Sequence, residues 1–155
     1  PLLQQEAFVE FYDALNSITE KTIFVEVETN GTIMPTPPFN GRVNHYDCSP
    51  KLSNSNMSKI RRYKPDVLEY LIKQSIKQRA IFKYVIENEN DIHEIINDFV
   101  KPFQIPNKQI YLMPQCISVD ELHAKQNMIA DLCMKYGFNF SSRLQVDLWN
   151  KTTGV

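Results

Sequence analysis

The sequence predicts an α/β fold built on a mainly parallel sheet. Three observations lead there. Short β-branched and aromatic runs alternate with amphipathic helical patterns over most of the chain, the order that produces parallel strands joined by crossover helices. Residues 80–86, Ala-Ile-Phe-Lys-Tyr-Val-Ile, are almost continuously apolar, as a strand covered on both faces would be. Several strands stop abruptly in small and polar residues, which is where parallel α/β proteins place ligands.

The composition admits this fold and excludes others. The chain has 155 residues, enough for one domain with a real core, and no internal repeat or boundary divides residues 1–155. Apolar residues make up 43% and charged residues 23%, the balance of a globular domain rather than a disordered one. No apolar run approaches the roughly 18 residues of a membrane helix, so no membrane partner is expected. The net charge of −1 gives no general attraction to nucleic acid. The basic run Lys59-Ile60-Arg61-Arg62-Tyr63-Lys64 reads as a solvated loop edge or as a local anion site. Cys48, Cys116 and Cys133 are odd in number and widely spaced, which points to a reducing, cytoplasmic setting and no disulfide framework.

Taken in order, residues 4–18 carry Phe8, Phe11, Tyr12, Leu15 and Ile18 at helical spacing. Residues 22–28 form a strand, and Asn30-Gly31 turns the chain. Pro35, Pro37 and Pro38 hold an extended loop, so the crossover to the strand at 42–48 lacks an obvious helix. Residues 52–64 have no apolar period and read as a long mobile loop. Pro65 suits the first position of a helix whose apolar face is Leu68, Leu71 and Ile72, extending as far as Ile76. After the strand at 80–86, Ile92, Ile95, Ile96 and Phe99 mark a helix stopped by Pro102, and residues 109–113 form another strand. Ser118-Val119-Asp120-Glu121 is a capping box that opens a helix running to Tyr136 and stopping at Gly137. Residues 143–149, Arg-Leu-Gln-Val-Asp-Leu-Trp, alternate and are expected to form the last strand.

Three strand ends offer ligand chemistry: Glu28-Thr29-Asn30-Gly31, Cys48-Ser49-Pro50-Lys51 and Met113-Pro114-Gln115-Cys116. Gly31 permits close backbone approach and positive φ. Thr29 and Ser49 supply hydroxyls, Lys51 a cation for a carboxylate, and Gln115 an amide able to read a base edge. Pro50 and Pro114 stiffen the exits. The set suits a ligand with amino-acid and nucleoside parts. Asn-Gly also serves as a plain turn and Ser-Pro as a plain strand exit; on a parallel sheet, however, all three ends would meet at one edge. Lys83, a charge within an apolar strand, must reach a polar cavity or an edge. His93 and His123 lie on helical patterns as surface residues, and His45 sits mid-strand as a candidate core histidine. No pair of histidines has metal-ligand spacing, and no Gly-rich phosphate loop or catalytic triad is present.

Pro1-Leu2-Leu3-Gln4, Val27-Glu28-Thr29-Asn30-Gly31-Thr32, Ser49-Pro50-Lys51, Leu112-Met113-Pro114-Gln115 and Arg143-Leu144-Gln145-Val146-Asp147-Leu148-Trp149 occur in the order found in the 7-carboxy-7-deazaguanine synthases, which the chain resembles from end to end. These are radical S-adenosylmethionine enzymes of queuosine and 7-deazaguanine synthesis. The resemblance implies a partial, modified (βα) barrel and a homodimer. It implies conversion of 6-carboxytetrahydropterin to 7-carboxy-7-deazaguanine with loss of ammonia. The cofactors implied are S-adenosylmethionine, a [4Fe–4S] cluster and Mg²⁺. Carried over by position, Thr29 and the terminal carboxylate at Val155 would contact the pterin. Gly31, Ser49, Pro50, Lys51, Met113, Pro114, Gln115 and Cys116 would contact S-adenosylmethionine.

The sequence departs from the family at several places. The family's Cys-x₃-Cys-x₂-Cys loop, which ligates the cluster beside the Mg²⁺ ligand, does not occur here, and the three cysteines present lack its spacing. Gln145 stands where many relatives have His, and Cys116 where a small or acidic residue is usual. The chain also opens on Pro1, the last residue of the family's Gly-Gly-Glu-Pro motif. The expectation is therefore a C-terminal portion of such an enzyme, with the strand at 22–28 at an open sheet edge. This portion alone would bind neither cluster nor Mg²⁺ and would be inactive. The rival readings are a non-catalytic binding protein derived from the same fold and an unrelated nucleotide-binding α/β domain.

Overall fold

A computed structural model describes residues 2–152. Five strands, β1 (Glu26–Thr29), β2 (His45–Cys48), β3 (Ala80–Ile86), β4 (Ile110–Pro114) and β5 (Asn139–Phe140), form one parallel sheet in the order β1-β2-β3-β4-β5. Among the described residues β1 lies at an open edge, as expected. Each crossover advances one place in the same direction. Right-handed connections of that kind set every crossover helix on one face of the sheet.

Those helices are α4 (Pro65–Ile76), a helical stretch from Asp91 to Phe103, and α7 (Val119–Tyr136). Beneath them lie Val27, Tyr46, Phe82, Tyr84 and Leu112, none more than 1% exposed. Leu68 and Leu71 of α4 and Ile92, Ile95 and Phe99 of the middle helix close this core. Each such side chain contributes about 1.5–3 kcal/mol on burial. The opposite face carries Glu28, Asp47, Lys83, Val85 and Met113, and the three crossover helices lie on the other side. One helix-covered face and one polar face make a partial α/β barrel, with the polar face as the inner wall. This corrects the expectation that β3 is covered on both sides: its residues alternate between buried and half-buried along its length.

Helix α1 (Gln5–Ile18) forms as its spacing predicts, and Phe8 packs on Phe39, but Phe11 and Ile18 stay exposed. Strand β1 begins later than expected, at Glu26. The Pro-rich crossover contains a single turn, α2 (Pro37–Asn40), where Pro pre-sets helical φ at the first positions. Ile76, at the end of α4, is exposed rather than in the core.

Three expectations are corrected. The segment 52–64 is not a mobile loop: it holds a 3₁₀ turn at Ser53–Ser55 and α3 (Lys59–Arg62), with Arg62 buried. Its order comes from side-chain hydrogen bonds, which leave no apolar period in the sequence. Pro102 does not stop the middle helix, which continues to Phe103. The turns ahead of it, Ile95–Val100, widen to a π-helix between α5 (Asp91–Glu94) and α6 (Lys101–Phe103). Such a widening relieves the clash of the proline ring with the preceding turn. Residues 143–149 are not a strand but α8 (Leu144–Trp149), and the last strand is the two-residue β5. Leu144 and Leu148 are also an i, i+4 pair, so the alternation fits either period.

Helix α7 follows its signals. The Ser118 hydroxyl accepts the Glu121 amide at 3.3 Å, and Gly137 ends the helix at φ +68°. No helix among the described residues is long and apolar enough to cross a membrane.

Candidate functional site

The ends of β1 and β2 are tied together. The Ser49 amide donates to the Thr29 carbonyl at 2.7 Å, extending the ladder by one bond. The Thr29 hydroxyl accepts the Gly31 amide at 3.1 Å, and the Asn30 carboxamide accepts from the Thr32 amide and hydroxyl. These Asx- and Thr-type turns bend the chain sharply away from the sheet. Against the inner wall below them lies a cavity of about 460 Å³. Thr29, Ser49, Lys51 and Met113 line its rim, and Glu28, Asp47, Lys83 and Val85 form its wall. Arg143 and Gln145 close it from the α8 side.

The wall is charged because β1, β2 and β3 each turn one ionisable residue inward. Lys83 Nζ donates to Asp47 Oδ2 at 2.5 Å and lies 3.7 Å from Glu28 Oε1. The other Asp47 oxygen, Oδ1, is buried with no hydrogen-bond partner among the described residues. Arg143 donates from Nη1 to the Cys116 carbonyl at 3.0 Å, and its Nε is likewise buried without a partner among the described residues. Three cations, Lys51, Lys83 and Arg143, face two carboxylates, Glu28 and Asp47, so the cavity suits an anionic group. Among the described residues Lys51 makes no ion pair, whereas Lys83 is already engaged.

Of the residues singled out from sequence, the cavity thus brings together Thr29, Ser49, Lys51 and Met113, with Lys83 on its wall. Gly31, Pro50, Pro114 and Cys116 are buried beside it and do not line it. Gln115 is exposed and accepts Lys125 Nζ at both its carbonyl and its side-chain oxygen. Val155 lies outside the described residues. Glu28 and Asn30 stand in a strand end singled out from sequence but were given no role of their own, and Asp47, Arg143 and Gln145 were passed over as cavity residues. The available signal was the inward phase of Glu28, Asp47 and Lys83 on their strands, which period-2 alternation encodes. His45 is half-buried at the start of β2, and His93 and His123 are exposed.

The thiols stand apart from the cavity. Cys48 is at the end of β2 on the helix side, Cys116 packs with Leu122 and Val146, and Cys133 is on α7. All three are buried, and burial pushes each thiol above its usual value near 9. Thiolate ligation of an iron–sulfur cluster does not fit such a set, and among the described residues no three His, Cys, Asp or Glu side chains converge on a metal position. Raised values also set a sign for stability. The unfolded thiols ionise first, so stability is complete below about pH 9 and falls as pH rises towards the folded values. The expected result is a urea midpoint that drops between pH 8.5 and 10.5, with alkylation by iodoacetamide at pH 8 only after unfolding. Rapid modification of any thiol in the native chain contradicts this placement.

Comparison with known proteins bears on these strand ends. No family model matches the chain. Among curated proteins, the chain is 33% identical over 130 residues to the 7-carboxy-7-deazaguanine synthase of Pyrobaculum aerophilum, covering 84% of the chain and 54% of that relative. It is 30% identical over 152 residues to the protein of that name from Hyperthermus butylicus, covering 94% and 60%. For that of Halobacterium salinarum the figures are 28% over 168 residues, covering 97% and 62%. The chain spans about half the length of the curated relatives it matches, and over that span it is a homologue of proteins named 7-carboxy-7-deazaguanine synthase.

Proposed function

We propose that these residues form one domain, the C-terminal part of a radical S-adenosylmethionine enzyme that converts 6-carboxytetrahydropterin to 7-carboxy-7-deazaguanine with loss of ammonia. The observation that carries this reading is the cavity at the ends of β1 and β2, where Thr29, Ser49 and Lys51, which makes no ion pair among the described residues, meet on an inner barrel wall. The relatives' shared name supports the product, 7-carboxy-7-deazaguanine; the pterin substrate and the radical class rest on the sequence resemblance.

The donor set fits S-adenosylmethionine. Lys51 takes the carboxylate of its methionyl part, Ser49 offers a hydroxyl beside it, and Met113 and Val85 give apolar contact for the adenosyl part. Thr29, at the end of β1, faces the pterin. When bound, S-adenosylmethionine supplies the hydrogen-abstracting chemistry, and these side chains orient the two reactants against each other. Arg143 and Lys83 counter the charge of the pterin carboxylate, and the wall of β1–β3 shields the reacting face from water. The described residues do not fit the cluster or Mg²⁺, so in this reading both are held by a part of the enzyme outside residues 2–152, and the 155 residues alone do not turn over. The intact enzyme is a cytoplasmic homodimer in this proposal.

Calorimetry of the chain with S-adenosylmethionine tests the reading. Binding is expected, and Lys51→Met is expected to weaken it by about ten- to a hundredfold, the value of one charge-assisted hydrogen bond. A folded chain that shows no binding would sink the cofactor assignment.

A further inference from the structure

The segment between Lys51 and Tyr63 has no role in the reading above, yet it holds one of the most buried polar networks in the chain. Arg62 is 6% exposed and lies at the end of α3. Its Nη1 donates to Glu94 Oε1 at 2.6 Å and to the Lys51 carbonyl at 3.1 Å, and its Nε donates to the Met57 carbonyl at 3.2 Å. The second oxygen of Glu94, Oε2, accepts the Ser53 amide at 2.9 Å and the Ser53 hydroxyl at 2.6 Å. Next to it Asn54 Nδ2 donates to the Val85 carbonyl, near the end of β3, at 3.1 Å and to Asp91 Oδ2 at 2.9 Å. That same Asp91 oxygen accepts the Glu87 amide at 2.7 Å. Two hydrogen-bonded groups, one on Asn54 and Asp91 and one on Ser53, Glu94 and Arg62, thus tie the end of β3 and the backbone of Lys51 to the same short segment, joined through the Ser53–Asn54 peptide.

The geometry has a consistent direction. Three of these bonds hold main chain between Lys51 and Met57 directly, at the Lys51 carbonyl, the Ser53 amide and the Met57 carbonyl, while the Lys51 ammonium is in the cavity with no ion pair among the described residues. A polar segment of this length would otherwise sample many conformations, and binding would bear the cost of ordering it. A guanidinium suits the task because its planar fork reaches several carbonyls and a carboxylate at once, which an ammonium does not.

We infer that Arg62 and Glu94 are positioning residues for Lys51, holding its main chain so that its ammonium is set for the carboxylate of the ligand. The ligand assignment rests on the function proposed above; the clamp itself does not. Neither residue lines the cavity, and both act through the 51–57 backbone.

Two measurements on Arg62→Met, Arg62→Lys and Glu94→Gln test this, with Leu132→Ala on α7 as a control of comparable instability. Amide exchange at Leu52–Asn56 is expected to rise at least tenfold in Arg62→Met and Glu94→Gln while β3 and β4 keep their protection. Affinity for S-adenosylmethionine, measured where all variants are folded, is expected to fall about tenfold in the same two and about threefold in Arg62→Lys. Leu132→Ala is expected to lower the melting temperature without changing either readout. Unchanged exchange at 52–56, or an affinity loss equal in Leu132→Ala, overturns the inference. If Arg62→Met does not fold, Arg62→Lys and Glu94→Gln decide it. A wild-type chain that binds no S-adenosylmethionine overturns the proposed function instead, and exchange then decides whether the clamp exists.

Discussion

Valine in place of Gly31 is expected to destabilise the fold by about 4 kcal/mol, through two additive causes. Gly31 has φ +73°, a conformation that costs an L-residue roughly 1–2 kcal/mol and a β-branched one more. A Cβ there would lie 3.1 Å from Cys48 Sγ and 3.2 Å from Leu68 Cδ2, both fully buried. Both neighbours sit in the packed core: Cys48 is fixed in β2, and Leu68 projects from α4 onto the sheet. Overpacking of this kind typically costs a further 1–3 kcal/mol. Alanine at the same position meets the same two atoms without the β-branch, so about 2–3 kcal/mol is expected for Gly31→Ala. Urea denaturation of both variants measures the difference, and a loss under about 1 kcal/mol in Gly31→Val would refute the argument. The result also bears on the site. Gly31 is required here by packing beneath the turn, with its amide held by the Thr29 hydroxyl, rather than by contact with the cavity.

That distinction marks where the sequence was legible. The strands β1 to β4 and helices α1, α4 and α7 follow from periodicity and caps, because each buries one face and its apolar spacing records which. The strand ends could be read for the same reason: a parallel sheet brings them to one edge whatever the details. The wall of the cavity was harder. Glu28, Asp47 and Lys83 each look like an isolated charge in a strand, and only the register that sets Glu28 beside Asp47 brings them to one surface. The segment 52–64 was illegible for a different reason. Its order rests on Arg62, Glu94, Asn54 and Asp91, which are up to 37 residues apart in the pairs that matter, and side-chain hydrogen bonds of that range leave no local pattern. Over residues 143–149, Leu144, Val146 and Leu148 alternate while Leu144 and Leu148 also stand at helical spacing, and tertiary packing of Val146 with Cys116 and Leu122 decided between the two periods.

Lys83→Met is expected to cost about 3 kcal/mol, because it leaves a buried carboxylate without a partner. The Asp47 side chain is 9% exposed, and Lys83 supplies its one hydrogen bond among the described residues; Oδ1 has none even in the intact pair. Desolvation of a carboxylate is offset only while that ammonium is present. Full loss of a deeply buried pair reaches 3–5 kcal/mol, and the lower end applies here because the cavity beside Lys83 lets water approach. The companion substitution separates this from lost packing. Lys83→Met with Asp47→Val removes both charges and replaces them with apolar groups of comparable reach, so most of the stability should return. A double variant no more stable than Lys83→Met would show that the lysine stem, not its charge, holds the wall. Recovery of stability without recovery of pterin binding is the functional outcome that the proposed reading expects, since the two substitutions leave Glu28 on the inner wall and remove its cation. The pair then costs the fold little when both members are present, and it keeps an ionic surface in a position where an apolar one would fold as well.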